Sequence, residues 1–118
     1  MERNALGDLE AWRRDPRRKP LLMYGARQVG KTYLLKEFGA RNFEKVAYFD
    51  LEKQADARAA FQGNLAPETI VSNLSQVSGR SIDASRTLIV FDEVQASNRA
   101  LASLKYFYED MPEACVVA

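Results

Sequence analysis

Gly25-Ala26-Arg27-Gln28-Val29-Gly30-Lys31-Thr32 is the stretch on which the reading of the whole chain turns. It matches the pattern G-x-x-x-x-G-K-[ST] at every fixed position. Four fixed positions at ordinary residue frequencies give on the order of 0.5% chance of an accidental match in a chain of this size. The pattern works physically only in a set order: a strand delivers the loop, glycines let backbone amides curl around a phosphate, and a helix begins where those amides converge. The flanks supply these parts. Leu21-Leu22-Met23-Tyr24 is a continuous apolar run between Pro20 and Gly25, which predicts a buried strand. The loop spans 25 to 30, and from Lys31 onward Leu34, Leu35 and Phe38 recur at helical spacing, with Gly39 where such a helix is expected to stop. In a loop of this kind Lys31 reaches the β- and γ-phosphates of a nucleotide, and the Thr32 hydroxyl is a ligand to the magnesium ion that bridges them. Nucleotide contacts are expected along Gly25, Ala26, Arg27, Gln28, Val29, Gly30, Lys31, Thr32 and Tyr33.

Working outward, Ala5, Leu6, Leu9 and Trp12 share one helical face, so residues 3 to 13 read as a short amphipathic helix. Pro16 and Pro20 end it within the basic segment Arg13 to Lys19. A second strand is expected at Val46-Ala47-Tyr48-Phe49, running into Asp50-Leu51-Glu52. A weak alanine-rich helix follows at 53 to 61, then a firmer one at 67 to 78 that opens with Pro67 and Glu68 and buries Ile70, Val71, Leu74 and Val77. Leu88-Ile89-Val90-Phe91 is a third apolar strand. Ser97 fits the N-cap of a helix with Leu101, Leu104, Phe107 and Tyr108 on one side, ended by Pro112, and a last apolar run covers 114 to 118. Strand and helix alternate, and the strands are apolar throughout, which predicts an α/β fold: a parallel sheet with helices on both faces.

The second chemical element is the end of the third strand, Phe91-Asp92-Glu93. In a parallel sheet the C-terminal ends of the strands share an edge with the phosphate loop. Asp92 is therefore placed to hold magnesium, usually through water, and Glu93 to polarise the water that attacks the γ-phosphate. Asp50 and Glu52 reach the same edge, where a solvated turn is the simpler reading. Arg27 and Gln28 sit at the loop tip, where contact with phosphate or a neighbouring subunit stands beside the simpler reading of a solvent-facing tip.

The chain has 118 residues, 47% of them hydrophobic and 28% charged, which is enough for one core without staples. It contains no histidine, so imidazole acid/base chemistry, His-assisted nucleophiles and the common zinc sites are excluded. Cys115 is the only cysteine and cannot pair within the chain; it fits a small core residue in a reducing compartment, and a cytoplasmic location is expected. No apolar run approaches the ~20 residues of a membrane-spanning helix. Five of the 17 basic residues lie between Arg13 and Lys19, and the remainder of the chain is net acidic, so charge does not support a nucleic-acid partner; the basic run reads as a solvated connection.

The loop GARQVGKT, the strand VAYFDLE, the segment TLIVFDEVQ and the helix ALASLKYFYEDMPE resemble the AAA-superfamily ATPases usually described as ATP-binding proteins, in which an ATPase core precedes a C-terminal domain of unknown function. The resemblance implies a P-loop NTPase with a catalytic glutamate and sheet order 5-1-4-3-2, which would set the run at 114 to 118 between the phosphate-loop strand and the Asp92 strand. It further implies ATP and Mg2+ as ligands, Lys31 and Glu93 as catalytic groups, and Gln95 as a residue shared with the family that orients water or caps a turn. Family members continue past this point with a polar sensor, a fifth strand and an arginine. The expectation is thus the N-terminal part of one ATPase domain, truncated after its fourth core strand, with 1–19 as N-terminal helix and basic connection and 20–118 as nucleotide-binding core. Such a piece is expected to bind nucleotide better than it turns it over, and to self-associate or lean on an absent C-terminal part. A P-loop phosphotransferase and a non-catalytic nucleotide-binding remnant stand as the alternatives, while a GTPase is disfavoured because no Asn-Lys-x-Asp reader occurs.

Overall fold

The computed structural model describes the backbone of residues 2–22 and 29–118 and the side chains of 6–22 and 32–118. In chain order the elements are α1 (Glu2–Arg14), α2 (Val29–Asn42), β1 (Lys45–Asp50), α3 (Ala55–Ala59), α4 (Pro67–Ser78), β2 (Thr87–Asp92), a 3-10 turn (Val94–Ala96), α5 (Asn98–Asp110) and β3 (Cys115–Val117). The strands form a parallel sheet in the order β1-β2-β3. Leu21 adds on beyond β3 through a parallel bridge to Val117. Its N–H donates to Val116 O at 2.9 Å, and Ala118 N donates back to Leu21 O at 2.7 Å. The chain segment that leads into the phosphate loop therefore borders β3, and β3 separates it from the Asp92 strand, as the resemblance implied. Met23 and Tyr24, the rest of the expected first strand, lie outside the described residues.

Strand alternation divides the core into two halves. Leu88 and Val90 of β2, with Cys115 and Val117 of β3, pack against Leu9 of α1 and Leu35 and Phe38 of α2. Phe49, Ile89, Phe91 and Val116 pack on the opposite side against Phe61, Ile70 and Leu74, and against Leu104 and Phe107 of α5. Phe91 is the hub there, its ring 5.2 Å from Phe61 and 6.1 Å from Phe107. Because successive strand residues face opposite ways, Val46 and Tyr48 of β1 fall on the α2 side, where they pack with that first cluster.

The helix ends follow local chemistry. Pro67 occupies the first turn of α4, and Gly79 closes it at φ 72°, a left-handed conformation that glycine adopts at no steric cost. Ser97 caps α5, its Oγ accepting from Ala100 N at 3.1 Å. Two expectations are corrected. Gly39 does not end its helix; α2 continues to Asn42. A Cβ at Gly39 would lie 2.1 Å from Val46 Cγ2, so this glycine lets the helix approach β1. On α5 the buried stripe is Ala100, Ser103, Leu104 and Phe107, while Leu101 (44%) and Tyr108 (41%) are exposed.

The basic segment is also more built-in than a solvated connection. Arg18 donates to Arg13 O and Glu113 O, Arg13 sits 4.9 Å over the Phe43 ring, and Lys19 sits 5.4 Å from the Tyr108 ring. Trp12 Nε1 donates to Lys19 O at 2.7 Å, tying the segment back onto α1. The run thereby fastens α1 to the loop that precedes β3.

Candidate functional site

The site lies where α2 begins and β2 ends. Gly25, Ala26, Arg27 and Gln28 lie outside the described residues; Val29, Gly30 and Lys31 form the start of α2, with their side chains outside the description. No acidic residue occupies the first turn of α2. Its positive dipole end therefore meets no carboxylate from its own turn, which suits an anion there. Thr32 follows within that helix, and Tyr33 is 62% exposed on its outer surface.

Opposite α2, the register of the sheet sets Asp50 of β1 beside Asp92 of β2, and Tyr48 beside Val90. The Tyr48 hydroxyl donates to Asp92 Oδ2 and also lies 3.1 Å from Thr32 Oγ1. One phenolic oxygen thus links the hydroxyl expected to bind magnesium to the carboxylate expected to do the same. Burial, and then the hydrogen bond to Asp92, push the phenol up to about 12. It keeps its proton throughout the neutral range.

Asp92 is held on its other oxygen as well: Oδ1 accepts from Glu93 N at 2.9 Å. Glu93 has φ 53°, the only positive φ outside glycine among the described residues, and it opens the 3-10 turn. The left-handed kink turns the chain between the two neighbouring carboxylates, a conformation that non-glycine residues adopt at a cost. Gln95 Nε2 donates to Glu93 Oε1 at 2.5 Å, so Gln95 holds the glutamate rather than capping a turn.

Asp50 belongs to the local turn. Its Oδ1 accepts from Glu52 N and Lys53 N, while Arg58 donates to the carbonyls of Leu51 and Glu52. That is the solvated turn the sequence suggested. Tyr48 is the residue sequence reading missed. Its only sequence signal is the alternation of β1, which puts a hydroxyl-bearing ring on the α2 side; its position two residues short of Asp92 depends on a register that no local pattern encodes.

A family model described as AAA domain matches residues 17–118. The chain belongs to the AAA domain family. That membership points to nucleotide binding of the ATPase type and accords with the parallel sheet flanked by helices. No match was found among curated proteins or among solved structures. Among the described residues, no helix of the AAA domain chain is long and apolar enough to cross a membrane.

Proposed function

We propose that the chain binds ATP together with magnesium and forms the nucleotide-binding part of an ATPase that uses water as the acceptor. The observation that carries this reading is the meeting of Thr32 and Asp92 on a single oxygen, Tyr48 Oη, at the start of α2 and the end of β2. Both are hard oxygen donors, the type magnesium prefers, and one hydroxyl with one carboxylate leaves most coordination positions to phosphate and water, which is the usual magnesium arrangement at nucleotides. Among the described residues no group of three acidic, cysteine or histidine side chains gathers, so a dedicated all-protein metal cage is not what this donor set offers. When bound, the ion would screen phosphate charge and orient the terminal phosphate.

The chain's own groups then divide the work. Backbone amides at the start of α2, with Lys31, hold the phosphates. Asp92, fixed on both oxygens, supports the cation side. Glu93, gripped by Gln95, is the base that would take a proton from the attacking water. Residues 20–118 would form this core and 1–19 its N-terminal helix and basic connection.

Titration with ATP and magnesium should give binding that is lost in Lys31→Ala; unchanged affinity in that variant would sink the phosphate-loop assignment. Phosphate release that disappears in Glu93→Gln with ATP binding retained is the outcome expected of an ATPase. Turnover that requires an added acceptor metabolite would instead make the protein a phosphotransferase.

A further inference from the structure

We propose that Tyr48 is the positioning residue of the cation site, a phenol that orients both magnesium-binding groups through one oxygen. The inference deepens the magnesium-nucleotide reading and rests on it. A phenol has one proton, and Tyr48 gives it to Asp92 Oδ2. Tyr48 Oη is therefore left as an acceptor, so the 3.1 Å contact with Thr32 requires the Thr32 hydroxyl to be the donor. That fixes the Thr32 proton toward Tyr48 and leaves its lone pairs for a cation. Without the phenol, the threonine hydroxyl is free to rotate its proton into the place where a cation must sit.

Asp92 is ordered by the same contact. With Oδ2 accepting from Tyr48 and Oδ1 from the Glu93 amide, the carboxylate plane is set from both of its oxygens. The ring itself is held: Lys36 Nζ stands 5.5 Å from its centroid, and Tyr48 packs beside Val46 in the α2-side core. Hydrogen-bond partners behind metal-binding groups are commonly worth ten- to a hundredfold in metal affinity, because they set orientation before the ion arrives. A tyrosine filling space on a strand has no reason to touch these two residues in particular.

Tyr48→Phe removes the hydroxyl and keeps the ring. Binding of a fluorescent ATP analogue would be followed while magnesium is added to the 118-residue chain, and separately in EDTA, with a thermal melt as a check on folding. The expected result is a magnesium midpoint raised about tenfold or more, with nucleotide affinity in EDTA unchanged. Tyr48→Leu, which deletes the same hydroxyl with a different shape, should give the same shift and serves if one variant does not fold. An unmoved magnesium midpoint with nucleotide binding intact overturns the role of Tyr48 and leaves the function standing. An equal loss of affinity with and without magnesium overturns it too, because that is what a merely structural tyrosine would produce. Absence of magnesium-dependent binding in the unsubstituted chain refutes the underlying functional reading instead.

Discussion

Gly39→Ala should destabilise the protein, although glycine in the middle of a helix is normally the weaker choice. In the interior of α2 an alanine gains roughly 0.5–1 kcal/mol from helix propensity. Against that stands the added Cβ, which would lie 2.1 Å from Val46 Cγ2 and 3.4 Å from Leu88 Cδ2. The first distance is far inside contact, so either Val46 leaves its rotamer or α2 lifts off β1. Overpacking of this kind costs about 1–3 kcal/mol. The net loss is then about 1 kcal/mol, which with a urea slope of about 2 kcal/mol/M moves the denaturation midpoint down by about 0.5 M. The double-mutant cycle sharpens the test. With Val46→Ala the obstructing methyl is gone, and Gly39→Ala should become neutral or stabilising in that background. If Gly39→Ala alone raises the urea midpoint, the close approach of α2 to β1 is wrong. The stakes are functional, because α2 carries Thr32 toward Tyr48 on β1, and a helix pushed outward lengthens that contact first.

Ser97→Ala should lower stability by about 1 kcal/mol in a urea titration, since it removes the acceptor for Ala100 N; no change would mean the cap contributes nothing. Glu93→Gly should raise stability by about 0.5–1 kcal/mol, by relieving the left-handed backbone at φ 53°, while abolishing phosphate release under the proposed mechanism; a destabilised variant would show that this backbone carries no strain. Tyr48 has a folded value raised from 10.0 to about 12, so its stabilising contribution is complete below pH 10 and is lost as pH climbs through about 12. The stability difference between the natural chain and Tyr48→Phe should therefore shrink over that window in urea melts; a difference that grows there would contradict the burial of the phenol, and with it the Asp92 contact, as the cause of the raised value.

Elements governed by local chemistry were readable in advance. Pro67 and the apolar spacing through Leu74 set α4 at 67 to 78, and Ser97 caps α5 as its position suggested. The Leu88 to Phe91 run is buried along its whole length, as an apolar strand in a two-sided sheet must be. What stayed hidden depends on the approach of distant residues. Gly39 carries the same letter whether it stops a helix or admits a neighbour, and only Val46 across the gap decides which. Leu101 and Tyr108 have helical spacing as good as that of Phe107, yet the sheet covers only one narrow stripe of α5. Arg18 looked like part of a solvated run because its acceptor, Glu113 O, lies 95 residues away. At the site, Asp92 and Glu93 were marked by their position after an apolar strand, whereas Tyr48 emerged only with the β1–β2 register.

The bridge between Leu21 and Val117 bears on how the site comes into being during synthesis. The residues that lead into the phosphate loop leave the ribosome well before the strand that flanks them, Cys115–Val117. Helices α1 and α2 meet without it, while the sheet position of Leu21 does not exist until β3 has docked on β2. Closing so long a loop is slow compared with forming local helices. A nascent chain would therefore expose its glycine-rich segment before it has a platform for it. Nucleotide, which favours whatever state binds it, would act late, as a latch on the finished sheet rather than a template for building it.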